Sequence, residues 1–216
     1  MIAGAGNCLP YRMRLIDRPG EIHLRKRSFR LSISNHPTPP DLNEIVILKD
    51  GSQVTLRAIR PDDAPRLQEG FSRLTPQTIY MRFLQAAKEL TDEQARELAE
   101  VDYQTRMAIV GFVKEDGHER LVVVARYGML DRAEAGLAEA AIVVRDDFQK
   151  RGLGKIAMQH LVHYASEHGV RGLVATVHAN NTPVLSFIRN TGLPFKKRII
   201  EPGIWEIIIP LTPEDG

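Results

Sequence analysis

The run QKRGLGK (Gln149, Lys150, Arg151, Gly152, Leu153, Gly154 and Lys155) stands between the β-branched stretch IVV and a segment with helical spacing. Glycines placed between a buried strand and a helix let backbone N–H groups turn towards an anion. The positive end of the helix dipole faces the same way. Lys150, Arg151 and Lys155 add cationic charge around that point. His160 and His163 lie about one turn apart on the same segment and mimic a metal pair. Without a third ligand they read as a solvated helix face, and no metal site is expected.

Three phosphate loops compete for the glycines. The pattern G-x-x-x-x-G-K-[ST] fails, because Gln149 stands five positions before Gly154 and Ile156 follows Lys155. The dinucleotide pattern G-x-G-x-x-[GA] fits Gly152, Gly154 and Ala157, but its context is wrong. RDDFQKR separates strand from glycines, and the following strand ends in VHANN with no acidic residue for a ribose. The pattern [QR]-x-x-G-x-[GA] after a buried strand is satisfied by Gln149, Gly152 and Gly154.

The elements that must hold this loop follow from periodicity. QVTLRAI alternates as a half-buried strand after the turn KDGS. Pro61 with two aspartates opens a helix carrying Leu67, Phe71 and Leu74 on one face. PQTIYMRFL fits a second short helix, and TDEQARELAEV a third with Thr91 and Gln94 in a capping box. Strands are expected over residues 107–113, 121–129 and 138–144, then a helix over 152–168 ended by Gly169. The strand LVATVHA, a helix in NTPVLSFIRNTG and two final apolar runs complete the order β, three short α, three β, α, β, α, β, β. SNHPTPPDLNE reads as a linker, which places a basic extension at 1–44 and one α/β domain at 45–216.

Bulk properties fit that picture. The chain has 216 residues, 43% hydrophobic, which suffices for one buried core, and no apolar run approaches a membrane span. One cysteine, Cys8, forms no internal disulfide and fits a reducing, cytoplasmic setting. Net charge is +2, yet residues 1–40 hold seven Arg and Lys against Asp17 and Glu21, a segment of +5, leaving −3 for the rest. Such an arm can meet nucleic acid or an acidic partner. A terminal extension without that role is the simpler reading, so nucleic acid is not taken as a partner.

With the loop and the order of elements in place, the chain resembles the GNAT superfamily of acyl-CoA-dependent N-acyltransferases over about residues 52–211. VTLRAIRPDDAPRL, LTPQTIYMRF, VDYQTRMAIVGF, AEAAIVVRDDFQKRGLG and VLSFIRNTGLPF are similar to the catalytic domain of bacterial Pat-type protein lysine acetyltransferases. The resemblance implies a twisted, mainly antiparallel mixed sheet flanked by helices, with central strands that splay to admit acetyl-CoA. It implies that the loop from Gln149 to Lys155 cradles the pyrophosphate. Ile142, Val143 and Val144 then offer a strand edge to the pantetheine arm. Asn181 matches the family's cofactor asparagine, with plain helix capping as the alternative. The match points to Glu139 as general base, since an apolar cleft raises a carboxyl towards the working range. A solvent-facing Glu139 is the alternative, with Glu134 the nearest substitute.

Tyr80, Arg82 and Phe83 match a substrate-lining segment, though core packing explains the two aromatics equally well. Asp102 and Tyr103 stand near the expected cleft. Seven residues after Asn181, where superfamily members acting on small amines often carry a tyrosine acid, stands Ile188. The implied activity is acetyl transfer from acetyl-CoA to a lysine of a protein substrate, for example an AMP-forming acyl-CoA synthetase. The alternatives are a small amine or protein N-terminus as acceptor, and a regulatory module that binds acyl-CoA without turnover. Relatives fuse this domain to a ligand-binding domain; about 50 residues precede it here, so no built-in ligand switch is expected.

Overall fold

The computed structural model describes residues 40–130 and 136–211. The basic arm, Cys8 and Glu134 lie outside them. Eight strands form one sheet: β1 (Asn43–Ile47), β2 (Gln53–Ala58), β3 (Arg106–Glu115), β4 (His118–Met129), β5 (Leu137–Val144), β6 (Gly172–His178), β7 (Lys196–Glu201) and β8 (Ile204–Pro210). Their spatial order is β1-β2-β3-β4-β5-β6-β8-β7, and every neighbouring pair is antiparallel except β5 with β6. Among the described residues five α-helices accompany it: α1 (Ala64–Ser72), α2 (Pro76–Phe83), α3 (Asp92–Ala99), α4 (Leu153–Glu167) and α5 (Thr182–Asn190). This is the α/β, mainly antiparallel mixed sheet expected from the resemblance. It adds one strand: β1 starts inside the segment read as linker, and pairs along its whole length with β2 across the KDGS turn.

The decisive feature of the sheet lies between β5 and β6. Their parallel pairing comprises three rungs, the last joining Glu139 to Val174. Beyond it β5 stays on β4 as far as Val144 opposite Val123, while β6 follows β8 as far as His178 opposite Ile204. The two strands therefore part from Ala140 onward. The core divides with them. A large cluster including Leu56, Ile59, Met107, Ile109, Phe112, Tyr127, Leu153 and Leu161 fills one side, and a smaller one of Val177, Ile188, Ile207 and Ile209 packs with α5.

Local chemistry accounts for the helices beside the splay. Thr75 caps α2 by accepting from Thr78 N, with Pro76 at the first position, where its missing N–H costs nothing. Thr91 and Gln94 form the expected reciprocal box on α3. Near the middle of the sheet a bulge shifts the β3–β4 register, so that Gly111 faces Val123 while Phe112 faces Leu121. Gly111 is required there, because a Cβ would meet Val123 Cγ1 at 2.5 Å and Leu56 Cδ2 at 2.8 Å.

Candidate active site

Side chains on directly opposed residues share a face, and faces alternate along each strand. Glu139, Val174, Thr176, His178 and Glu206 therefore lie on one face of the parted strands. Ile142 and Val144 lie on the other. α2 covers the first face: the Tyr80 ring stacks on His178 with centroids 4.9 Å apart, and Arg82 sits close enough to Glu139 for each to bias the other's charge. α4 covers the second, its Gly154 so close that a Cβ there would touch Ile142 Cδ1 and Val144 Cγ2 at 3.4 Å.

The edge that β5 turns towards the gap has a definite phase. Arg145 N–H bonds Val122 O and Leu137 O accepts from Leu130 N, so odd-numbered residues of β5 direct their backbone polar groups to β4. The N–H and C=O groups of Ala140 and Ile142 therefore point into the splay, as does the N–H of Val144, whose C=O accepts from Gln149 Nε2, whereas those of Val143 are spent on β4. Among the three apolar residues read from sequence as a binding edge, Ile142 and Val144 present backbone to the gap. Val143 presents only its side chain, on the Glu139 face.

The loop continues from that edge. Asp146 to Phe148 form one 3-10 turn, and the chain then takes left-handed conformations at Lys150 (φ 60°) and Gly152 (φ 94°). Gly152 caps α4, and its carbonyl accepts from Lys155 N and Ile156 N. The N–H groups of Leu153 and Gly154 precede the first helical acceptor, as the opening donors of any helix do. A Cβ built on Gly152 meets nothing within 4 Å, so the space before the helix start is open. Alternating left-handed turns, unspent N–H groups and the dipole end of a 15-residue helix make a concavity suited to phosphates.

Charge is distributed less simply than the sequence implied. Lys150 and Lys155 are exposed at the loop, but Arg151 pairs with Asp50 in the β1–β2 turn and lies over the Phe148 ring at 4.7 Å. Leu153 buries its side chain fully and has only backbone to offer. Gln149 acts as a brace, donating through Nε2 to Val144 O at 3.1 Å and to Thr78 Oγ1 at 3.4 Å. Asn181, 5% exposed, caps α5 through Oδ1, which accepts from Val184 N, and the cap leaves its amide donors unused.

Glu139 is the most perturbed carboxyl of the site. Burial pushes it up, the Arg82 guanidinium draws it partly back and Glu206 pushes it up again, to about 7. Burial likewise lowers Arg82 from its ordinary value, against the pull of Glu139. Phe83, on the same helix, is buried and tilts against Phe71 at 5.7 Å, which makes it part of the core rather than of the lining. Tyr80 is 40% exposed and lines the splay.

Several other polar residues spend their groups within the fold. Asp102 spends its carboxylate on Gln104 N, Thr105 Oγ1 and Arg106 N, and Tyr103 donates its hydroxyl to Ile59 O; both are structural. His160 meets Glu44 at 3.2 Å and His163 meets Glu167 at 3.4 Å, and the described residues contain no group of potential ligands suited to a metal. Sequence reasoning missed Asp146, Thr78, His178, Glu206 and Arg198. Their partners are distant in the chain or on other strands, so no local pattern exposes them.

Comparison with known proteins agrees with this geometry. Residues 74–193 match the model of the acetyltransferase (GNAT) family, and the chain belongs to that family. An acetyltransferase of Pseudomonas aeruginosa is 37% identical over 134 residues, covering 62% of this chain and 71% of that protein. The acetyltransferase Pat of Mycolicibacterium smegmatis is 27% identical over 76% of this chain and 48% of its own length. Among solved structures, the GNAT domain of S. lividans PAT superposes with a TM-score of 0.71 at 25% identity, covering 80% of this chain and 99% of that domain. A cAMP-binding acyltransferase from Mycobacterium smegmatis gives 0.53 at 24% identity, covering 79% of this chain. The chain spans about half the length of both mycobacterial relatives. GNAT acetyltransferases take their acetyl group from acetyl-CoA, and the open β5 edge with its glycine loop suits that donor.

Proposed function

We propose that this GNAT acetyltransferase transfers acetyl from acetyl-CoA to a lysine side chain of a protein, with Glu139 as the general base. The observation that carries the reading is Glu139 itself. It stands on the last shared rung of β5 and β6, under α2, with a carboxyl held near neutrality. A lysine amine of pKa about 10.4 arrives protonated, so a nearby carboxylate must relieve it of a proton before nitrogen can attack. Acetyl-CoA supplies the acetyl group as a thioester, an acyl group on a tolerable leaving group. The new C–N bond forms as the C–S bond breaks. Glu139 accepts the proton from nitrogen directly or through water, and the departing thiolate takes a proton from solvent.

The protein's share is orientation. Ala140, Ile142 and Val144 hold the donor's arm by strand addition. The N–H groups of the loop from Gln149 to Gly154, with Lys150 and Lys155, hold its phosphates, and Arg151 contributes while anchoring the loop to Asp50. Asn181 contributes a side-chain amide beside the arm. Tyr80 and Arg82 line the acceptor side. Holding both reactants in one cleft supplies much of the remaining rate.

The lysine acceptor is supported by likeness to the Pat proteins, and by Ile188, buried at 4% where a tyrosine acid would otherwise be sought. An AMP-forming acyl-CoA synthetase in the cytoplasm is the first protein acceptor to try. The test is thiol release with acetyl-CoA and three acceptors: a lysine-bearing protein, a peptide with a free N-terminus and a small diamine. Preference for the protein lysine supports the proposal. Preference for either other acceptor replaces it, and binding of acetyl-CoA without turnover replaces it with a regulatory role.

A further inference from the structure

Glu206 is a buried carboxylate that the transfer step does not use. It lies on β8 opposite Thr176, on the face that holds Glu139 and His178, and its side chain is 6% exposed. Its partner is Arg198 of the edge strand β7, whose Nε donates to Oε1 at 2.6 Å although the Arg198 side chain is 65% exposed. A buried carboxylate needs a counter-charge. Here that charge is brought by a long side chain that lies mostly in solvent, so the carboxylate can be reached by a cation from outside.

We propose that Glu206 is a specificity-determining residue for the acceptor: it attracts the cationic side chain that is to be acetylated, and Arg198 holds its place until that cation arrives. The inference rests on the reading of Glu139 as the base on this face. Two carboxylates and one bound cation then divide the work. Glu206 draws in an ammonium group, and Glu139 removes its proton. The charges that act on Glu139 are Arg82 from α2 and Glu206 itself; on the same face, by register, stand Thr176 and His178 from β6, with Tyr80 of α2 stacked on His178, and Arg126 from β4 opposite Ala141. Glu206 already acts on Glu139 through space, adding to burial in raising its carboxyl.

The experiment compares the wild type, Glu206→Gln and Arg198→Gln with two peptides. One carries the acceptor lysine; the other carries at that position a hydrazide nucleophile, uncharged at neutral pH. Glu206→Gln is expected to raise KM for the lysine peptide by roughly tenfold, leaving KM for acetyl-CoA and for the hydrazide peptide within about twofold. Arg198→Gln, which leaves the buried carboxylate in place, is expected to lower KM for the lysine peptide and to flatten its salt dependence. Equal changes for both peptides, or a higher lysine KM in Arg198→Gln, would overturn the proposal while the wild-type activity leaves the lysine reading standing. A wild type that acetylates neither peptide would overturn both.

Discussion

The Asp146 carboxylate accepts a hydrogen bond from the Thr78 hydroxyl at 2.6 Å, across 68 residues of sequence, and so joins the loop after β5 to α2, the helix over the Glu139 face. Thr75 adds its N–H at 3.0 Å and its hydroxyl at 2.8 Å. Burial alone would raise Asp146, but these bonds outweigh it and hold the carboxyl below its ordinary range. Asp146→Ala is expected to cost about 1–3 kcal/mol of stability and to raise KM for donor and acceptor together. Thermal denaturation and steady-state kinetics check both parts. A change in only one KM would show that loop and helix are not coupled through this residue.

Gly152 tests the phosphate loop. Its φ of 94° is unfavourable to any side chain, although the space around it is open. Gly152→Ala should therefore cost on the order of 1–2 kcal/mol through backbone strain rather than collision. It should also weaken acetyl-CoA binding, measured by calorimetry, because a relaxed backbone re-aims the N–H groups. Unchanged affinity would show that the loop's left-handed turn does not shape the donor site.

Ile188 faces the small core of Val177, Ile207 and Ile209, not the splay. Introducing the tyrosine found in some superfamily members should overpack this cluster. Ile188→Tyr is expected to lose roughly 1–3 kcal/mol without gaining rate. A faster variant of unaltered stability would mean that this helix can present a proton donor after all.

Glu139 links stability to pH with a definite sign. Its folded carboxyl, at about 7, lies above its ordinary value of 4.5. The folded protein therefore keeps a proton that the unfolded chain has released, and stability falls as pH rises between those values. Glu139→Gln removes the effect and should be more stable than the wild type above pH 7, by up to about 3 kcal/mol. Denaturant unfolding at pH 5 and pH 8 measures the difference.

The legible and illegible parts of this protein differ by range of interaction. Thr75 with Pro76, and Thr91 with Gln94, are complete signals within a few residues, so α2 and α3 begin where their caps stand. The glycine loop is legible because positive φ demands particular residues at particular places. The parting of β5 from β6 has no such signature: Ala140 to Val144 reads as apolar whether or not a neighbouring strand is there. β1 was hidden by its brevity and by the prolines before it. The pairing of Arg151 with Asp50 is invisible in the sequence because the two lie about a hundred residues apart. Phe83 and Tyr80 are separated only by which side of α2 meets the core, and sequence spacing left both options open.

The most direct test of the central claim is the pH dependence of kcat/KM for acetylation of a protein lysine by the wild type and by Glu139→Gln, with the modified residue located by mass spectrometry. The wild-type rate should rise with pH and level off above about 7, as the carboxyl of Glu139 loses its proton. Glu139→Gln should lose that limb and fall by roughly 10²–10⁴-fold, with acetyl-CoA affinity unchanged. A variant that retains both the rate and the rising limb would contradict Glu139 as the base.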